Sequence, residues 1–92
     1  MLVAAGFENV RQLGEWRPPG HSTHEMGTAR MGRDPATSVL NGRNQAHDIQ
    51  NLFITDGACM PSSGNVNPSL TYMALSARAA NYAADRLASG EM

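Results

Sequence analysis

Cysteine is nearly missing from this 92-residue sequence; Cys59 is the only one, so no internal disulfide can form. A single thiol without a partner assigns no redox compartment, and its ordinary role is that of a small buried apolar side chain. Large aromatics are also scarce, at two Phe, two Tyr and one Trp, and much of the 41% apolar share is alanine. A chain this short buries only a limited fraction of its surface, so the expectation is a modest core and an incomplete module. Neither sign of charge dominates, with seven basic residues against eight acidic ones and a net charge of −1. Such a balance creates no field to attract nucleic acid or an anionic membrane. No apolar run approaches the ~20 residues that span a bilayer. The N-terminus shows neither the charged region nor the long apolar core of a signal peptide; the location is left unknown, with a cytoplasmic one, or a periplasmic one with the address carried elsewhere, as the expectations.

What is present is organised around Asn51 to Pro68. Leu52, Phe53, Ile54 and Thr55 form a short apolar, β-branched run suited to a strand buried on both faces, and Asp56-Gly57 ends it with turn chemistry. A loop of small residues leads to Asn67-Pro68, which reads as a helix N-cap followed by proline at the first helical position. From Pro68 to about Ser89 the pattern is helical. Leu70, Met73, Ala77, Ala80, Ala84 and Leu87 recur at steps of three and four and predict one alanine-rich stripe laid closely on a neighbour. Gly90 is the expected stop.

Upstream the signals are shorter. Leu2 to Phe7 resembles the last turn of a helix closing at Gly6, Asn9 to Leu13 a short strand, and Trp16 to Gly20 a rigid turn that two prolines keep out of helix. His21 to Gly32 lacks sustained periodicity and reads as an ordered loop. Asp34-Pro35 and Asn41-Gly42 predict turns on either side of a short strand at Ser38 to Leu40.

Two clusters could carry chemistry. His21-Ser-Thr-His24-Glu25 invites a zinc reading, but the protease motif needs His-Glu-x-x-His on a helix, and Thr28 stands where the second histidine belongs. His21, His24 and His47 could still form a three-histidine metal site, although no carboxylate is placed as a further ligand. No Gly-x-Ser-x-Gly elbow supports serine catalysis. The second cluster is the crevice between the strand end at Asp56-Gly57 and the helix start at Pro68. Such crevices in α/β proteins hold nucleotide cofactors, with helix N-termini facing anionic groups. The plain alternative is a turn and a cap with no ligand.

Three blocks taken together narrow the choice. His24-Glu-Met-Gly-Thr-Ala-Arg-Met-Gly-Arg-Asp-Pro-Ala-Thr-Ser-Val, Asn51-Leu-Phe-Ile-Thr-Asp-Gly-Ala-Cys-Met-Pro and Asn67-Pro-Ser-Leu-Thr-Tyr-Met-Ala-Leu resemble the carboxyl-terminal part of glucose-methanol-choline (GMC) oxidoreductases, in family order. The resemblance covers residues 21–88 and is closest in style to bacterial members that oxidise sugars, sugar acids or glycosides. It implies an FAD enzyme that removes hydride from the carbon of an alcohol. His24 would be the base, because hydride leaves most readily once the hydroxyl proton is being taken, and Asn67 its polar partner. Asp56 would contact the ribityl or pyrophosphate part of FAD, with Gly57 giving backbone access. Asn67, Pro68 and Ser69 would lie at the pyrimidine edge of the flavin, where a helix N-terminus stabilises negative charge.

The resemblance also implies a fold: an α+β fragment, with residues 1–45 the last pieces of an antiparallel-sheet substrate domain. Residues 46–92 would be the final strand (51–55) and long helix (68–89) of an α/β FAD-binding domain. The Gly-x-Gly-x-x-Gly fingerprint of that domain is absent from this chain. The expectation is therefore an enzyme fragment, inactive alone, whose partners are a sugar or polyol substrate, the missing N-terminal FAD domain, and in some branches a small subunit and a cytochrome electron acceptor. A non-catalytic remnant or interaction module is the alternative.

Overall fold

The computed structural model describes residues 1–11, 13–14, 18–21 and 23–92. One long helix, α1 (Ser69–Ala88), lies against a folded loop layer formed by residues 24–61, and two short 3-10 turns, Val3–Ala5 and Gly57–Cys59, complete the regular structure. The radius of gyration is 18.4 Å and the principal extents are 63 × 24 × 23 Å, against roughly 12 Å for a compact chain of this length. The excess comes with an N-terminal arm whose Leu2, Val3, Phe7, Val10 and Leu13 are all exposed. Its first turn closes at Gly6 in the left-handed conformation, as the sequence suggested. The described residues between Asn9 and Leu13 form no strand, and Gln12 lies outside the described residues. Trp16 and Arg17, half of the expected proline turn, also lie outside them. Its other half is present, with His21 N donating to Pro18 O at 3.3 Å.

The core is as small as the composition requires: Ala29, Leu40, Ala46 and Cys59, with Met31, Ile54, Ala58, Met60 and Leu75 packed around them. Two Asx turns shape the layer. Asp34 accepts from Ala36 N through Oδ1, and its carbonyl accepts from Thr37 N and Ser38 Oγ. Asn41 Oδ1 accepts from Arg43 N at 2.8 Å, which leads the chain into Asn44 with φ of +64°, a region where asparagine costs less than most residues. Asn44 is fully buried.

Neither the expected strand at 51–55 nor the one at 38–40 forms. Among the described residues, pairing is limited to isolated bridges: Met31 with Leu40, Leu40 with Ala46, and Gln45 with Phe53. Residues 52–54 do run antiparallel to 44–46, with Ala46 N donating to Leu52 O and Ile54 N to Asn44 O. Among the described residues they have that one partner, and Leu52 is exposed while Phe53 and Ile54 are half-buried instead of covered on both faces. No antiparallel sheet is built from these residues.

The helix is where it was expected, one residue shorter at each end, and it stops as the sequence suggested. Gly90 takes φ of +73°, Glu91 N donates to Arg86 O and Gly90 N to Leu87 O, the paired bonds of a left-handed C-terminal cap. The face it presents differs from the expected stripe. Tyr72, Leu75, Ser76, Ala79, Tyr82, Ala83 and Arg86 turn toward the loop layer, and Ala79 is 2% exposed. Leu70, Met73 and Leu87 of the predicted stripe are 79%, 68% and 66% exposed. The helix is apolar around most of its circumference, as helices between two layers are, and the loop layer covers one side only.

Candidate active site

His24 and Asn67 are 43 residues apart in sequence, and His24 Nε2 lies 2.9 Å from Asn67 Oδ1. The pairing follows from how the two segments are held. Downstream of His24, Gly27 takes φ of +90° and lies against the Met60 and Pro61 carbonyls. Ala29 N then donates to Ala58 O, and Met31 N to Cys59 O. These bonds fasten the histidine loop to the Gly57–Cys59 turn. Asn67 stands immediately before α1, whose position is fixed by the packing of Ala79 and Leu75 on the core.

The pairing changes the reading of the helix start. Pro68, not Asn67, occupies the N-cap position, and no side chain caps the helix. The Asn67 amide oxygen faces His24 and makes no bond to the helix amides. The first amide hydrogens of a helix have no intrahelical partner, so the start of α1, beside the His24–Asn67 pair, keeps its donors and the positive end of its dipole for an outside group. Pro68 itself is buried and Ser69 exposed.

Asp56 is exposed, and its Oδ1 accepts from Ala58 N at 3.0 Å, which caps the short turn that follows. The second carboxylate oxygen remains for a further donor. Gly57 has a reason to be glycine within the chain itself. A Cβ there would stand 2.8 Å from Glu25 O and 2.8 Å from the Tyr72 hydroxyl, closer than carbon is found to oxygen. Asp56, Gly57, Asn67, Pro68 and Ser69 are thus brought to the region where the histidine loop, the 3-10 turn and the start of α1 meet.

The alternative metal reading is not assembled. His47 Nε2 lies 3.2 Å from Ser38 Oγ, whose own hydrogen goes to Asp34 O. Among the described residues no three His, Cys, Asp or Glu side chains converge on a point that could hold an ion. Cys59 is fully buried, and burial pushes its thiol above the ordinary value, so it packs rather than reacts.

Sequence reasoning missed three polar residues that hold this arrangement. Asn44 donates from Nδ2 to Ile54 O at 3.0 Å and accepts from Arg78 Nη2 at 2.9 Å, tying α1 to the loop layer. The turn signal at Asn41-Gly42 pointed near it, but nothing local distinguishes a buried asparagine from an exposed one. Tyr72 donates to Met26 Sδ at 3.6 Å, a contact across 46 residues with no sequence signature.

Comparison with known proteins identifies the family of the chain. A family model described as GMC oxidoreductase matches residues 10–76. The chain is 45% identical over 89 residues to the 2-methyl-1,2-propanediol dehydrogenase of Mycolicibacterium austroafricanum, covering 87% of this chain and 16% of that protein. It is 39% identical over 93 residues to the 6'''-hydroxyparomomycin C oxidase of Streptomyces lividus, covering 96% of this chain and 17% of that one. With the fructose dehydrogenase large subunit of Gluconobacter japonicus the identity is 41% over 78 residues, 85% of this chain and 14% of that subunit. The chain therefore spans about a sixth of the length of the relatives it matches, and by the family match and these identities it belongs to the GMC oxidoreductases, corresponding to their carboxyl-terminal portion.

Proposed function

We propose that this chain is the carboxyl-terminal portion of an FAD-dependent enzyme that oxidises a CH–OH group of a sugar, polyol or glycoside. The observation that carries the reading is the 2.9 Å contact between His24 Nε2 and Asn67 Oδ1 at the uncapped start of α1. The residues fit the cofactor: unpaired amide donors suit the anionic pyrimidine edge of a flavin, and the outer carboxylate oxygen of Asp56 suits a ribityl hydroxyl. Support for the donor class comes from relatives named as a propanediol dehydrogenase and a fructose dehydrogenase.

FAD, when bound, supplies the hydride acceptor. His24 is the one member of the pair that can take a proton, because an amide is no base near neutral pH. With Asn67 Oδ1 facing it, Nε2 carries hydrogen and donates. A half-turn of the amide brings Nδ2 into that place, leaving Nε2 as the acceptor that a base must be. An alcohol entering at this edge gives its hydroxyl proton to His24 and accepts from Asn67 Nδ2, which steadies the oxygen as charge builds on it. Residues 1–45 would close the substrate side and residues 46–92 would return to the flavin-binding part. That missing part would cover the exposed face of α1, and the isolated chain would be inactive. In the branch with a named large subunit, a small subunit and a cytochrome acceptor would be further partners.

The test joins this chain to the flavin-binding portion of its polypeptide and compares His24→Ala with the parent. Flavin reduction by a sugar or polyol should slow by roughly 10²- to 10⁴-fold while FAD remains bound. A variant that keeps full activity would overturn the assignment.

A further inference from the structure

The His24–Asn67 contact must open for an alcohol to enter between the two side chains, so something else has to keep the histidine loop registered on α1. We infer that Tyr72 is the positioning residue that does this, through its hydroxyl and Met26; the inference rests on the catalytic reading of the pair.

Three segments converge on the Tyr72 hydroxyl. Tyr72 lies one turn into α1, its amide donating to Pro68 O at 3.0 Å, so its place relative to Asn67 is set by the first turn of the helix. Its hydroxyl donates to Met26 Sδ, two residues beyond His24, at 3.6 Å. It also occupies the space left by the missing side chain of Gly57, where a Cβ would stand 2.8 Å from Tyr72 Oη, 3.3 Å from its Cζ and 2.8 Å from Glu25 O. Glycine at 57 thus lets the tyrosine reach past the Gly57–Cys59 turn to the backbone that carries His24.

The downstream half of the loop is fastened by backbone bonds from Ala29 and Met31 to the Gly57–Cys59 turn and by Arg78 Nη2 on Met31 Sδ at 3.7 Å. Nearer His24, two side-chain links from loop to helix among the described residues are His24–Asn67 and Met26–Tyr72. The first is the one substrate displaces. The second stays closed, and with it the separation of base and amide is held while the alcohol sits between them. A hydrogen bond to a thioether suits this part: it is weak enough to yield small adjustments, and the flexible methionine follows the ring.

The experiment is imidazole nitrogen NMR on the 92-residue chain at a pH where the rings are neutral, comparing the parent with Asn67→Ala, Tyr72→Phe and Met26→Leu. The parent should show His24 as one tautomer, hydrogen on Nε2. Tyr72→Phe keeps the ring and removes the donor, while Met26→Leu keeps the volume and removes the acceptor. Both should lose the single-tautomer pattern and average the two ring nitrogens, with Cys59 and helix amide resonances unmoved. Asn67→Ala must disturb His24 as well, and its failure to do so would refute the pair itself. If Asn67→Ala moves His24 but either Tyr72→Phe or Met26→Leu leaves it as in the parent, the pair stands and the positioning role of Tyr72 is overturned.

Discussion

Arg78 Nη2 on α1 donates to the Oδ1 of Asn44 across 2.9 Å, while the same amide donates from Nδ2 to Ile54 O. One buried side chain therefore connects the helix, the Asn41 turn and the segment leading to Asp56. Asn44→Ala removes both bonds and places alanine at a φ of +64°, so it should cost about 2–4 kcal/mol. Asn44→Gly, which relieves the backbone but not the lost bonds, should cost less. Urea unfolding of both variants measures the difference; equal losses would mean that the backbone angle carries no penalty here.

Asn67 offers a direct separation of cap from partner. An asparagine that caps a helix costs about 1 kcal/mol when replaced by alanine. Here Asn67 precedes the N-cap position and its oxygen faces His24. Asn67→Ala should leave the helical circular dichroism and the unfolding midpoint close to those of the parent. A cap-sized loss would show that the amide turns to the helix instead.

The expected and observed faces of α1 make opposite predictions for two sets of substitutions. Leu70→Gln, Met73→Gln and Leu87→Gln lie on the exposed side and should each change the stability of the chain by less than about 0.5 kcal/mol, while reducing the fluorescence of a dye that binds apolar surface. Ala79→Leu, at 2% exposure, should cost about 1–3 kcal/mol by overpacking. The reverse ranking would restore the stripe read from periodicity.

Cys59 gives a pH signature. Burial raises its thiol above the ordinary value, so the folded chain holds that proton more tightly than the unfolded one. Stability is then unaffected below the ordinary thiol range, about 8.5, and falls as pH rises through it. The fall should be absent in Cys59→Ala, which unfolding curves at pH 7 and pH 9.5 would show. A thiol reagent should label the parent only as fast as the chain opens.

How much of this was legible in the sequence depended on the range over which each signal acts. The helix and its Gly90 stop, the Gly6 turn and the turns at Asp34 and Asn41 are local, and they were read within a residue or two. The buried side of α1 was not, because alanines and other apolar residues occupy most of its circumference and the packed face is chosen by what the loop layer can reach. The strand at 51–55 was misread for a related reason. Leu52 to Thr55 has the composition of a covered strand, yet among the described residues only 44–46 pair with it. The His24–Asn67 partnership came from the family resemblance, since no periodicity links residues 43 positions apart. The contacts made by Tyr72 and Asn44 were not legible, as contacts between loops and helices carry no spacing rule.

That separation of 43 positions has a further consequence. The proposed base and its amide partner, and the tyrosine between helix and loop, lie on one uninterrupted stretch about a sixth the length of the family's complete members. The dinucleotide fingerprint is not on it. A recombination joint upstream of the histidine loop would carry the proposed base, its amide partner and the proposed flavin contacts at Asp56 and Ser69 together, so their mutual spacing would pass intact between polypeptides whose remaining nucleotide-binding portions differ.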